Sequence, residues 1–191
     1  MDIAGAGGKP GLTAALEMTD PDVRDRAESV SGWRYWQISG RSGHLRSVTQ
    51  KRIEWPPGHV LVARCLGAGH QAPDPSCDCG IYGARDLDTL REHGLCLAPE
   101  VLIVGKVALW GRVIDDVSGW RAEFGAPAEL HVVDDLVAGL DASEVAARLE
   151  AAYRVRAGTM PLADAVAGPS AAMLTFQAMS ADASRSRSND V

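Results

Sequence analysis

The sequence predicts a mainly β, α+β domain: a small single-domain sheet or open barrel, with one short internal helix and one C-terminal helix packed on it. Three observations predict it. The aromatic run Trp33-Arg34-Tyr35-Trp36 suits a strand, a long apolar stretch over 101–115 leads through turn residues into an alternating return strand, and a capped amphipathic pattern occupies 142–156. Hydrophobic residues make up 46% of the 191-residue chain, enough to bury a real core in one ordinary domain.

Each element has a local reason. The segment 33–39 ends at Gly40-Arg41-Ser42-Gly43, a turn cluster. Residues 45–54 carry a weaker strand pattern, which Trp55-Pro56-Pro57-Gly58 stops. The run 59–65 has strand length, and a loop with Gly67, Gly69, Pro73 and Pro75 follows it. Residues 84–93 form a short helix with Leu87 and Leu90 on one side and Gly94 as its C-terminal cap.

The hairpin is the clearest signal. Val107, Leu109, Gly111 and Val113 share one face, and Lys106, Ala108, Trp110 and Arg112 share the other. Asp116-Val117-Ser118-Gly119 supplies the turn. Trp120 to Phe124 then alternates with period two, and Pro127 is expected to end the strand. In the last helix Asp141 and Glu144 make a capping box, and Val145, Leu149 and Tyr153 form a narrow apolar stripe.

Both ends differ from this middle. Residues 1–30 are Gly- and Pro-rich without periodicity, and 158–191 are Ala- and Ser-rich. The expected organisation is a disordered N-terminal tail over 1–30, a folded domain over 31–157 and a disordered tail over 158–191, with a frayed helix near 171–179. No stretch approaches the roughly 18 uninterrupted apolar residues of a membrane span. Met1-Asp2-Ile3-Ala4-Gly5 shows neither a basic nor an apolar leader region. A cytoplasmic protein without membrane contact is the expectation.

In such a compartment Cys65, Cys77, Cys79 and Cys96 read as thiols or ligands, not as a disulfide framework. Cys65, His70, Cys77 and Cys79 are spaced C-x4-H-x6-C-x-C. Three thiolates and one imidazole complete the tetrahedral donor set that zinc prefers, and a set with no open position is structural. The Gly- and Pro-rich linkers let the chain wrap an ion, and Gly80 leaves room for backbone N–H groups near the sulfurs. A [2Fe–2S] cluster is the alternative occupant of the same four ligands. The bland reading makes Cys77 and Cys79 loop thiols and His70 a solvated side chain. Cys96, between Leu95 and Leu97, reads as a buried hydrophobe.

These residues carry a resemblance. Ala63-Arg64-Cys65, His70 with Ala72-Pro73, Cys77-x-Cys79-Gly80-Ile81-Tyr82, Gly105-x-Val107-x-Leu109-Trp110-Gly111-Arg112-Val113 and Gly119-Trp120-Arg121-Ala122-Glu123 together resemble a family of uncharacterised bacterial, mainly actinobacterial, hypothetical proteins. The resemblance covers about residues 32–130. It implies membership and treatment of the four ligands as one unit, and it implies no activity. The chain departs from that pattern at Gly83, where the family has Ala, and at Gly125-Ala126-Pro127, where an aromatic precedes the Pro.

Charge is unevenly distributed around the net −6. Residues 31–64 hold six basic side chains against Glu54, and 65–135 hold five basic against twelve acidic. Trp33, Tyr35, Trp36 and Trp55 beside Arg34, Arg46 and Lys51 raise single-stranded nucleic acid as an alternative partner, with core packing as the commoner fate of such rings. Trp110, Arg112, Trp120, Arg121 and Glu123 cluster on the hairpin as a candidate ligand or partner surface, where the two arginines could grip a carboxylate or phosphate. A solvated Arg–Glu cross-strand pair is the plainer reading.

Catalytic signatures are thin: there is no G-x-S-x-G, H-E-x-x-H or phosphate loop. The leading reading is a non-enzymatic binding or regulatory domain with a structural metal site and an unknown protein or small-molecule partner. A redox protein, by cluster or by reactive thiols at Cys77 and Cys79, is the second.

Overall fold

Two 15-residue strands, β6 (Leu102–Asp116) and β7 (Gly119–Val133), organise the computed structural model, which describes residues 28–50, 52–92, 102–134 and 140–166. Their long apolar alternation gives each strand residues for both faces, and Val117-Ser118 closes the turn between them. Around the hairpin lie β1 (Val30–Ile38), β2 (Leu45–Ser47), β3 (Glu54–Trp55), β4 (Leu61–Val62), β5 (Ile81–Ala84) and β8 (Arg156–Met160). Three helices complete the described chain: α1 (Leu87–Glu92), α2 (Ala142–Tyr153) and α3 (Leu162–Ala165). The structure is mainly β, as the sequence predicts.

All strands among the described residues belong to one sheet. β1 pairs with β6 along its length, β6 with β7, β7 with β5, and β5 touches β1 again at Trp33↔Ala84, so the pairings return on themselves. A bulge makes this curl possible. Gly111 and Arg112 together oppose Glu123, and Gly111 has φ +76°, a conformation that favours glycine. Beyond the bulge the hairpin tip turns toward β5.

The core has two parts. Trp36, Trp55, Ile103, Val107, Leu109 and Leu130 pack beneath Val145, Leu149 and Tyr153 of α2. On the opposite face, Tyr35, Leu102, Val104 and Val133 pack under Leu162, Ala165 and Val166. Consecutive β6 residues thus serve opposite faces, as a pleated strand requires. Tyr153 ties α2 to the sheet: its hydroxyl accepts from Leu45 N at 2.7 Å and donates to the Trp55 carbonyl at 2.6 Å.

Several expectations change. Pro127 does not end β7, because it sits at a second register shift, opposite Val107, where its missing N–H costs no regular ladder bond. The folded part does not stop at 157. β8 joins β7 in parallel and α3 buries Leu162 and Ala165, interactions that no local pattern announces. The 45–54 strand is two short strands, and the 59–65 run pairs with β7 at Leu61 and Val62, with the Ala63 N–H donating to the Glu123 carbonyl at 2.7 Å. Helix α2 begins at Ala142, capped by Asp141, whose side chain accepts from Ser143 N, and ends earlier than expected, at Tyr153. Gly94, Cys96, Lys51 and the 171–179 segment lie outside the described residues. Among those described, no helix is long and apolar enough to cross a membrane.

Candidate metal centre

Between β4 and β5 the chain makes a long loop with almost no regular structure, and it carries Cys65, His70, Cys77 and Cys79. Their ligand atoms all lie within 4.8 Å of one another, and each residue is half-buried. Cys65 Sγ stands 3.9 Å from Cys77 Sγ, and His70 Nε2 stands 3.2 Å from Cys79 Sγ. With metal–ligand bonds of 2.0–2.3 Å, the edge of a tetrahedral thiolate–imidazole site is about 3.5–3.8 Å. The observed separations bracket that value, so the group could hold a metal ion.

Electrostatics favour a cation at the centre of this group. The Ala68 N–H donates to Cys65 Sγ at 3.3 Å, and with Gly67 N–H it holds the Cys65 thiol below its ordinary pKa. Cys77 moves the other way. A backbone hydrogen bond at Cys79 favours its thiolate, but burial together with the Cys79 and Cys65 thiols pushes its pKa up. Three sulfurs so close resist carrying three negative charges, and a divalent cation removes that conflict.

The loop is held from behind by the hairpin. Arg121 on β7 is 7% exposed. Its Nη1 donates to the carbonyls of Asp74 at 3.4 Å, of Cys79 at 3.3 Å and of Cys77, while Nε stands 3.8 Å from Asp116 Oδ2. A guanidinium has five donors in one plane, which suits several carbonyls converging on one side. Arg112, placed by the bulge, donates to the Pro73 carbonyl at 3.3 Å and to Gln71 Oε1 at 3.4 Å. Gln71 Nε2 in turn donates to Glu123 Oε1 at 2.9 Å. Asp74 caps its own turn by accepting from Ser76 N and Oγ, and these two bonds hold its carboxyl below the ordinary range.

Thus the structure brings the four predicted ligands together and sets the hairpin group against them. Trp110 (2% exposed) and Arg121 are buried, whereas Arg112 is exposed and Trp120 and Glu123 are half-buried. Trp110 packs on Phe124, and Arg85 lies 4.7 Å over the Trp120 ring. Arg112, Arg121 and Glu123 act on the loop next to them. Gly80 separates the loop from Arg121: its φ is +134°, and a Cβ there would stand 3.1 Å from Arg121 Cβ and 3.2 Å from Pro73 Cβ. The N–H groups that reach the sulfurs come from Gly67 and Ala68 at Cys65 and from Cys79 at Cys77, whereas Gly80 supplies clearance.

The sequence missed Asp74, Gln71 and Pro73 as partners of the hairpin. Their only sequence signal is the Asp74-Pro75-Ser76 turn; the acceptors themselves are backbone carbonyls, which every residue has. In the basic segment Trp36, Trp55 and Tyr35 are buried, Trp36 meeting Trp55 edge-on at 5.6 Å. Of the four rings in that segment, only Trp33 is part-exposed, with Lys106 Nζ 5.3 Å above it. Comparison of the chain with known protein families, with curated proteins and with solved structures finds no match.

Proposed function

We propose that this protein is a non-enzymatic binding or regulatory domain whose Cys65, His70, Cys77 and Cys79 hold one structural zinc ion. The observation that carries the reading is the convergence of four donor atoms within 4.8 Å on a loop otherwise poor in regular structure. Zinc is favoured because thiolate and imidazole donors suit it and four protein ligands fill its tetrahedron, leaving no position for a substrate. Metal binding to such a loop adds to folding free energy. The competing occupant, a [2Fe–2S] cluster, distributes its ligands over two irons, so convergence on one point supports a single ion.

Elemental analysis with a visible absorption spectrum of freshly purified protein tests this. One zinc per chain without colour is the expected result. Iron with visible bands replaces the proposal with the redox reading, and a metal-free, fully folded protein removes it.

A further inference from the structure

The metal loop forms one wall of a groove of about 960 Å³, within the size range of small-molecule sites. The groove exists because of a gap in the sheet. On the edge of β1 away from β6, β5 pairs only at Trp33 and β2 pairs only from Trp36 onward. Arg34 falls in the interval, and its side chain lines the groove with Cys65, Cys77 and Cys79.

Arg34 is half-buried, yet among the described residues no carboxylate pairs with it. Nη1 donates to the Tyr82 carbonyl at 2.6 Å and Nη2 to Ser47 Oγ at 3.2 Å, while the buried Nε donates to nothing. The guanidinium also lies 5.1 Å from the Trp55 ring centroid. Burial lowers its pKa only to about 10, so it remains a cation at neutral pH. Of the three acids along the groove, Glu54 accepts from Ser39 Oγ at 2.8 Å, Asp116 faces Arg121, and Asp78 is exposed on the loop, and none of them pairs with Arg34. A half-buried cation with no carboxylate beside it gains from an anion that joins it.

The rim supplies a second, independent observation. Val62 (48%), Leu66 (76%) and Tyr82 (45%) are large hydrophobic residues exposed to solvent, and all three line this groove. Exposed apolar groups gathered round a concavity mark a binding site more than scattered ones do.

From these we infer that the groove binds a small organic anion, an apolar body carrying a carboxylate, sulfonate or phosphate that pairs with Arg34. The inference gives the binding domain proposed above its ligand class, and it rests on that reading only for the metal-held wall.

Fluorescence titration with anilinonaphthalene sulfonate, an apolar anion, tests it on the full chain. Arg34→Gln should weaken binding at least tenfold, about the value of one charge-assisted hydrogen bond, and Arg34→Lys should fall between. Inorganic phosphate, added at constant ionic strength, should displace the probe from the wild-type protein. Zinc content is measured on the same samples, so a variant that keeps its metal but loses the probe separates the ligand from the metal. Equal affinities in wild type and a folded Arg34→Gln overturn the inference. If Arg34→Gln does not fold, failure of phosphate to compete in the wild type overturns it alone.

Discussion

Arg121 on β7 and Cys79 in the metal loop are 42 residues apart, yet a guanidinium N–H of the first donates to the carbonyl of the second at 3.3 Å. The same nitrogen reaches the carbonyls of Asp74 and Cys77. One buried side chain therefore joins the hairpin to the turn that carries two of the four candidate ligands, Cys77 and Cys79.

Replacing Arg121 by Ala should destabilise the protein by about 2–4 kcal/mol, because several carbonyls lose their donor at a site that water hardly reaches. The melting temperature should fall by roughly 10 °C. Zinc should also pass to a chromogenic chelator faster than from the wild type. A variant that melts normally and releases metal at the wild-type rate shows that the contact does not support the loop.

Gly80→Ala probes the same junction from the other side. A φ of +134° disfavours any side chain, and the new Cβ would crowd Arg121 and Pro73. The expected cost is about 1–3 kcal/mol, with weaker metal retention. Thermal melts with and without chelator provide the measurement, and an unchanged melt argues that the loop relaxes freely.

If the four ligands hold a structural ion, removing one ligand and removing the ion are the same perturbation. Cys65→Ser should lose zinc and melt at the temperature of the chelator-treated wild type, and chelator should not lower it further. Additive losses would mean that Cys65 contributes to stability by another route.

Tyr153 predicts an alkaline limb. Burial pushes its phenol up to about 12 from an ordinary value of 10.0. The unfolded chain therefore ionises first, so stability is complete below pH 10 and is lost as the pH rises through 12. Tyr35, raised to about 12 by burial against a smaller opposing effect of Arg91, acts in the same direction. Tyr153→Phe should cost about 1–3 kcal/mol at neutral pH by stranding Leu45 N–H and the Trp55 carbonyl. It should also make the decline between pH 10 and about pH 12 shallower in urea denaturation, and an equally steep decline would contradict the assignment.

Local pattern alone determined the mainly β class, the 116–119 turn, the capped start of α2 with its Val145–Leu149–Tyr153 stripe, and the grouping of Cys65, His70, Cys77 and Cys79. These features depend on residues within a turn, a helix or a short loop of each other, so spacing and side-chain type carry them. Only the tertiary structure decided that Pro127 fits inside a strand, that β8 adds a parallel partner, and that Arg112 and Arg121 brace the metal loop. It alone placed Arg34 in a gap between β2 and β5. Those arrangements join groups far apart in sequence, several through backbone carbonyls that no side chain advertises, and they arise from how the bulged hairpin curls.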